Sequence, residues 1–466
     1  MFTESQSEDV RLSRPAEYPI LRGPLGDLVL RPWFDGVALH GVARWYLPLS
    51  RAWAAALAAE GSVETLLDTL YPGRVPRAPA RATARRLLDR AEARRADHAR
   101  AARIWEEAFF GSEPISTDRL VTLERARHDA AHRLMGMRAF ALPLHLTRRL
   151  PPVRWEVADQ EAVERAHGHR LAAAEHSFPA PVHPAIERSA EIPGGYGREY
   201  WLRFASPVMD DTAWARVYEP EGVADAPSLI FLHGIHMEPE MWRDIADEIS
   251  GLSRRGIRVI RPEGPWHGRR WRDGWFGGEP ALGLGPLGFL DLLQAWVAEI
   301  AVLIGWARAQ GRGPVAVGGV SLGALTSQLV PAAAWHWPVE LCPDAVLLIA
   351  NSEDLLQVAE AGSLARAVDL PRQFLDHGWT HKALQRWRPL LEPLGPPAVD
   401  PETVIMVLGS ADDLVPVEGG HALVRRWRIP DGNVYLRKQG HFSVALGVGR
   451  DQTPLDHLAR LLGANR

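Results

Sequence analysis

The run PVAVGGVSLGALTSQLV, residues 314–330, decides how this 466-residue chain is read. Its first part, through Val320, is a short apolar run with the texture of a strand covered on both faces. Its last part, from Leu322, has a helical pattern. Between them lies Gly319-Val320-Ser321-Leu322-Gly323, a G-x-S-x-G sequence at a strand-to-helix turn. Such a turn is tight and strained, and bulky residues two places to either side of the serine would collide in it. The helix that follows aims its N-terminal dipole at an anion formed on attack, and the backbone N–H of Leu322 can donate to that anion. Ser321 therefore reads as a nucleophile. The alternative is a glycine-rich turn that serves only close packing.

A serine hydroxyl is inert without a base, so the rest of the chain must supply one. Downstream, the apolar run Val404–Leu408 leads into GSADDLVP, residues 409–416. A strand that delivers a carboxylate into its C-terminal loop suits the acid of a triad. Asp412, three after Gly409 and three before Val415, is favoured over Asp413. Twenty-nine residues beyond Asp412 comes GHFS at 440–443, just past the strand expected at Val434–Arg437. His441 completes the order Ser, Asp, His and reads as the base. Upstream, the strand Ser228–His233 runs into HGIH at 233–236, where Gly234 lets backbone approach a substrate. The N–H of Ile235 is the candidate second oxyanion donor. His233 reads as a packing residue, and no third ligand accompanies it and His236 as a metal pair would need.

The loop from Pro262 to Gly288 is long and glycine-rich. Long ordered loops at strand C-termini are often binding elements. Trp266, His267, Arg269 and Arg270 of this loop, with His236 of HGIH, are expected to contact substrate, the loop's tryptophans and arginines by accepting an anionic or aromatic-bearing group. Packing against the N-terminal part of the chain is the alternative for this loop.

Four segments, HGIH, GVSLG, GSADDLVP and GHFS, fall in strand-end loops in a fixed order. With them, residues from about 200 onward resemble the α/β-hydrolase superfamily. The resemblance implies an α/β fold, a mostly parallel eight-stranded sheet with helices on both faces, and the roles nucleophile, acid and base for Ser321, Asp412 and His441. The stretch RPEGPWHGRR, residues 261–270, departs from the usual form of the loop after the fourth strand. The segment 352–400 lies where such folds insert a cap, and Trp379 and Trp387 would suit its apolar underside.

Residues 1–190 fall outside the resemblance. They read as a mainly helical region, with helices at Ser50–Thr69, Ala78–Glu107, Ser116–Leu134 and Gln160–His176, followed by a hydrolase domain over 196–466. The linker around Ile192–Gly195 is short, and the first part carries Trp33, Trp45, Trp53, Trp105 and Trp155. Those large surfaces predict that it packs on the second part and helps to cover its entrance.

Composition sets the outer bounds. Net charge is −4 and charged residues make up 24% of the chain, which argues against a nucleic-acid binder. The single cysteine, Cys342, removes a disulfide framework. The N-terminus is polar and acidic, unlike a secretory signal, so a cytoplasmic location is expected. The apolar stretch Phe289–Trp306 is interrupted by Asp291, Gln294 and Glu299, which suits a buried helix better than a membrane span. The expected activity is hydrolysis of an ester-like acyl bond in a small-molecule or lipid acyl substrate, with no metal or organic cofactor. Thioesterase, lipase and peptidase chemistry would use the same residues, as would acyl transfer. A non-catalytic binding scaffold is the reading from a different class. The sequence carries no signal for oligomeric state.

Overall fold

The computed structural model describes residues 26–73, 78–238 and 249–464. The polar N-terminus and most of the helix expected at Glu240–Arg255 lie outside those residues. The remainder of that helix is a 3₁₀ turn, Ser250–Arg255, closed by Gly256 in the left-handed region.

The centre of the molecule is one mixed sheet of ten strands. In chain order they are β1 Glu187–Arg188, β2 Ile192–Gly194, β3 Gly197–Ala205, β4 Thr212–Pro220, β5 Ser228–Leu232, β6 Arg258–Pro262, β7 Val315–Val320, β8 Ala345–Ile349, β9 Val404–Gly409 and β10 Val434–Arg437. The spatial order is β1-β3-β4-β6-β5-β7-β8-β9-β10, with β2 also on β3. Pairing is antiparallel from β1 through β6 and parallel from there to β10. The eight strands expected from the sequence are β3 to β10. The count of eight is corrected to ten by β1 and β2, two and three residues long, whose pairing with β3 shows no hydrophobic run to read.

The inner parallel strands β7, β8 and β9 carry no polar side chain because both their faces are covered. Along β5, Ile230 and Leu232 join one hydrophobic cluster, whereas Leu229 and Phe231 join the other. The same alternation runs along β8 and β9: Val346, Leu348, Val404 and Met406 face one side, and Leu347, Ile349, Ile405 and Val407 the other. Fully burying each such side chain is worth about 1.5–3 kcal/mol. The helix Pro286–Ala309 is long and apolar enough to cross a membrane, yet most of it is buried in the first cluster. Its Glu299 takes both oxygens to the buried guanidinium of Arg270, at 2.8 Å each.

Among the described residues up to 190 the chain is mainly helical as expected, but two of the expected helices are broken. Gln160–His176 is a helix Gln160–His167 followed by a 3₁₀ stretch Gly168–His176 that kinks at Ala173. Ser50–Thr69 is two helices, Leu47–Ala58 and Val63–Leu70, because Gly61 turns through φ 78° between them and Ser62 caps the second. Helix Ala78–Phe110 packs against helix Thr117–Met135, and their Trp105, Phe109 and Val121 cluster with Trp201 and Trp214 from β3 and β4. Elsewhere the Trp53 ring stacks on Trp271 with centroids 4.9 Å apart, and Arg51 donates to the Gly274 carbonyl at 2.6 Å. The described helices thus pack on β3 and β4 and on the loop that follows β6. The five short helices between Leu355 and Leu391 likewise bury Trp379 and Trp387, and the Trp379 indole donates to the Ala158 carbonyl at 2.7 Å.

Candidate active site

All the parallel strands end at one edge of the sheet, so the loops after β5, β7, β9 and β10 meet there. The turn after β7 sets the geometry. Ser321 has φ 57° and ψ −123°, a conformation that costs about 1–3 kcal/mol for a residue with a side chain. Its N–H donates to the Ile349 carbonyl at 3.0 Å, which ties the turn to β8. Both flanking glycines are needed. A Cβ on Gly319 would lie 2.4 Å from the backbone of Gly323, and one on Gly323 would lie 2.4 Å from the Leu232 carbonyl oxygen.

Three side chains converge on this turn. Ser321 Oγ lies 2.9 Å from His441 Nε2, and His441 Nδ1 lies 2.8 Å from Asp412 Oδ2. The other carboxylate oxygen of Asp412 accepts from the N–H groups of Leu414 and Val415 at 3.1 and 2.9 Å, so the carboxylate cannot rotate freely. All three residues are buried. Asp413 points elsewhere and accepts from the Ser363 hydroxyl at 3.0 Å. Such a chain can move a proton off Ser321 and hold the charged imidazole that results. Leu322 opens the following helix, so its N–H has no intrahelical acceptor. Ile235 stands beside Gly234, where a Cβ would lie 3.5 Å from Ser321 Cβ.

The loop residues expected to contact substrate divide. His236 borders the cavity of about 400 Å³ that contains Ser321 and His441. Trp266, His267, Arg269 and Arg270 do not line it among the described residues. Trp266 is buried at φ 62° and joins the main core. His267 is fully buried; its Nδ1–H donates to the Pro265 carbonyl at 2.9 Å and its Nε2 accepts from the His236 N–H at 3.2 Å. Arg269 pairs with Glu263 and lies over the rings of Trp105 and Trp214. Arg270 is held by Asp211 and Glu299. Both arginines border a separate cavity of about 480 Å³, between the two long helices and β4. Within RPEGPWHGRR, Arg269 thus packs on Trp105 of the helical region, whereas His267 and Arg270 are held by Pro265, His236, Asp211 and Glu299. Arg270, buried between two carboxylates, is not available to an incoming anion.

Three imidazoles brace the loops. His233 donates from Nδ1 to the Gly234 carbonyl at 2.8 Å and accepts at Nε2 from the Gly264 N–H at 3.0 Å. His236 donates from Nδ1 to the Gly277 carbonyl at 2.8 Å. Burial pushes His233 and His236 down to about 4 and His267 well below its ordinary value, so all three stay neutral. Among the described residues, no group of three or more His, Cys, Asp or Glu side chains is placed to hold a metal ion.

The roof of the Ser321 cavity comes from the helical region. Phe34, Ala38, Val42 and Tyr46 line it, and the Tyr46 hydroxyl donates to the His236 carbonyl at 3.1 Å. From the segment 352–400, only Leu364 reaches it among the described residues. Sequence reasoning missed these roof residues because nothing local marks a helix that closes over a site about 280 positions away.

Residues 229–448 match the family model described as the alpha/beta hydrolase family. No curated protein matches. Among solved structures, acetyl xylan esterase 1 from Thermoanaerobacterium sp. JW/SL YS485 is similar at 16% identity, over 63% of this chain and 95% of that one, with a TM-score of 0.43. An S-formylglutathione hydrolase from Agrobacterium tumefaciens is similar at 14% identity, over 58% and 98%, with a TM-score of 0.39. Oligopeptidase B from Leishmania major matches at 13% identity, over 60% of this chain and 37% of its own, with a TM-score of 0.41. With that sheet order and those strand-end loops, residues 229–448 form a domain of the α/β-hydrolase superfamily.

Proposed function

We propose that the protein is a serine hydrolase that cleaves an ester-like acyl bond through a covalent acyl-enzyme. The relay from Asp412 through His441 to Ser321, at 2.8 and 2.9 Å, carries this reading. Ser321 Oγ attacks the acyl carbonyl while His441 Nε2 takes its proton. Asp412 holds the ring at Nδ1 and stabilises the imidazolium. The N–H groups of Leu322 and Ile235 donate to the oxyanion. The tetrahedral species collapses, and His441 returns the proton to the departing alcohol oxygen. Water, deprotonated by His441, then attacks the acyl-Ser321 carbonyl and releases the acid. The cavity walls are apolar, with Phe34, Val42, Ile235 and Leu364 among them, which suits a small-molecule or lipid acyl group.

Turnover of p-nitrophenyl esters tests the assignment. Ser321→Ala and His441→Ala should each lower it by about 10³-fold or more without changing the melting temperature. Near wild-type turnover by purified Ser321→Ala overturns the mechanism.

A further inference from the structure

The helix that presents His441 has no capping side chain at its N-cap, Gly440. It runs His441–Gly447 behind Gly440, and its first N–H groups have no intrahelical acceptors. A serine, threonine, aspartate or asparagine at the position of Gly440 would ordinarily accept from them. Here the acceptor comes from the far end of the chain. Asp35, buried on the helix Pro32–Gly41, accepts at Oδ1 from the N–H of Phe442 and, at 3.0 Å, from the N–H of Ser443. Its Oδ2 accepts from the Ser443 hydroxyl, whose oxygen in turn accepts from the Gly440 N–H at 2.9 Å. The carboxylate occupies the space that a capping side chain would fill, since a Cβ on Gly440 would lie 2.5 Å from Asp35 Cγ. A second tether runs alongside, from Gln439 Nε2 to the Leu30 carbonyl at 3.3 Å.

We infer that Asp35 is a positioning residue for His441: it fixes the first turn of the base's helix and so makes catalysis depend on the docked helical region. The inference rests on the proposed role of His441 as base. Phe442 and Ser443 directly follow His441, so the bonds to Asp35 set where the imidazole stands between Asp412 and Ser321. A negative charge there also complements the helix dipole. Displacing a reacting group by about 1 Å can cost about 10²-fold in rate, so holding this turn bears on turnover directly.

The test uses the full chain and p-nitrophenyl esters. Asp35→Ala is expected to lower kcat by about 10- to 100-fold, with KM changed by less than about threefold. Asp35→Asn keeps an acceptor oxygen for the two N–H groups and is expected to recover most of the lost kcat. Ser443→Ala removes only the hydroxyl leg and is expected to lower kcat by a smaller factor. The Asp35→Ala/Ser443→Ala double variant should be no slower than Asp35→Ala alone, because both act through one network. Ser443→Ala and the Asn variant keep the test open if Asp35→Ala does not fold. Unchanged kcat in folded Asp35→Ala overturns the inference. So does a loss that Asn does not restore, or one in which the two substitutions multiply independently. An inactive wild-type chain would instead strike the proposed function, so the two failures are distinguishable.

Discussion

Asp412 and Asp413 are neighbours in sequence with different duties. One carboxylate meets His441 Nδ1 at 2.8 Å, and the other takes the Ser363 hydroxyl at 3.0 Å. Asp412→Asn should therefore lower ester turnover by about 10³-fold or more, and Asp413→Asn by less than about tenfold. A reversed ranking would place the acid one residue away. The buried imidazoles give a second residue-scale prediction. Burial holds His233 and His236 at about 4, below the ordinary value of about 6.5. Between those values the unfolded chain takes up protons that the folded chain refuses. Their contribution to stability is complete above about pH 6.5 and is lost as pH falls from there through about 4. Imidazole resonances followed by NMR should show His233 neutral down to pH 5; a titration midpoint near 6.5 would contradict the account.

At the scale of elements, the strands and the loops that bring Ser321, Asp412 and His441 together were legible in the sequence because their signals are local. A continuous apolar run such as Ile405–Leu408 reports burial on both faces, and glycines at 319 and 323 report a turn with no room for Cβ. Gly323→Ala tests that turn. The added Cβ meets the Leu232 carbonyl and the His233 backbone, neither of which can swing aside, so a loss of about 1–3 kcal/mol or more in urea unfolding is expected. An unfolding midpoint equal to wild type would show that the turn has room to relax. The Pro262–Gly288 loop was read less well. Its tryptophans and arginines have the composition of a binding element, but composition does not say which carboxylates face them. Arg270 finds Asp211 and Glu299, 59 and 29 positions away, and is used up in the fold.

At the scale of the whole molecule, the helical region and the sheet share one hydrophobic cluster, which includes Trp53, Leu134, Leu290 and Leu348. Docking of the described helices was foreseeable in part from their tryptophans: Trp53 and Trp105 are buried, whereas Trp33 stays exposed. The part that closes the site was not, because Asp35 and Ser443 are 408 positions apart and each is unremarkable locally. A chain beginning at residue 196 would expose Trp271 and Trp201, lose the roof over Ser321 and lose the carboxylate that caps the His441 helix. It is expected to be poorly soluble and at least about 10-fold slower than the full chain. Equal melting temperature and equal turnover would contradict the docked arrangement. The most direct test of the central claim is the intact mass of the full chain after exposure to a fluorophosphonate. The account predicts a single adduct on the peptide containing Ser321, abolished in Ser321→Ala and strongly slowed in His441→Ala. Folded protein that takes up no adduct, or takes it up at another residue, would contradict it.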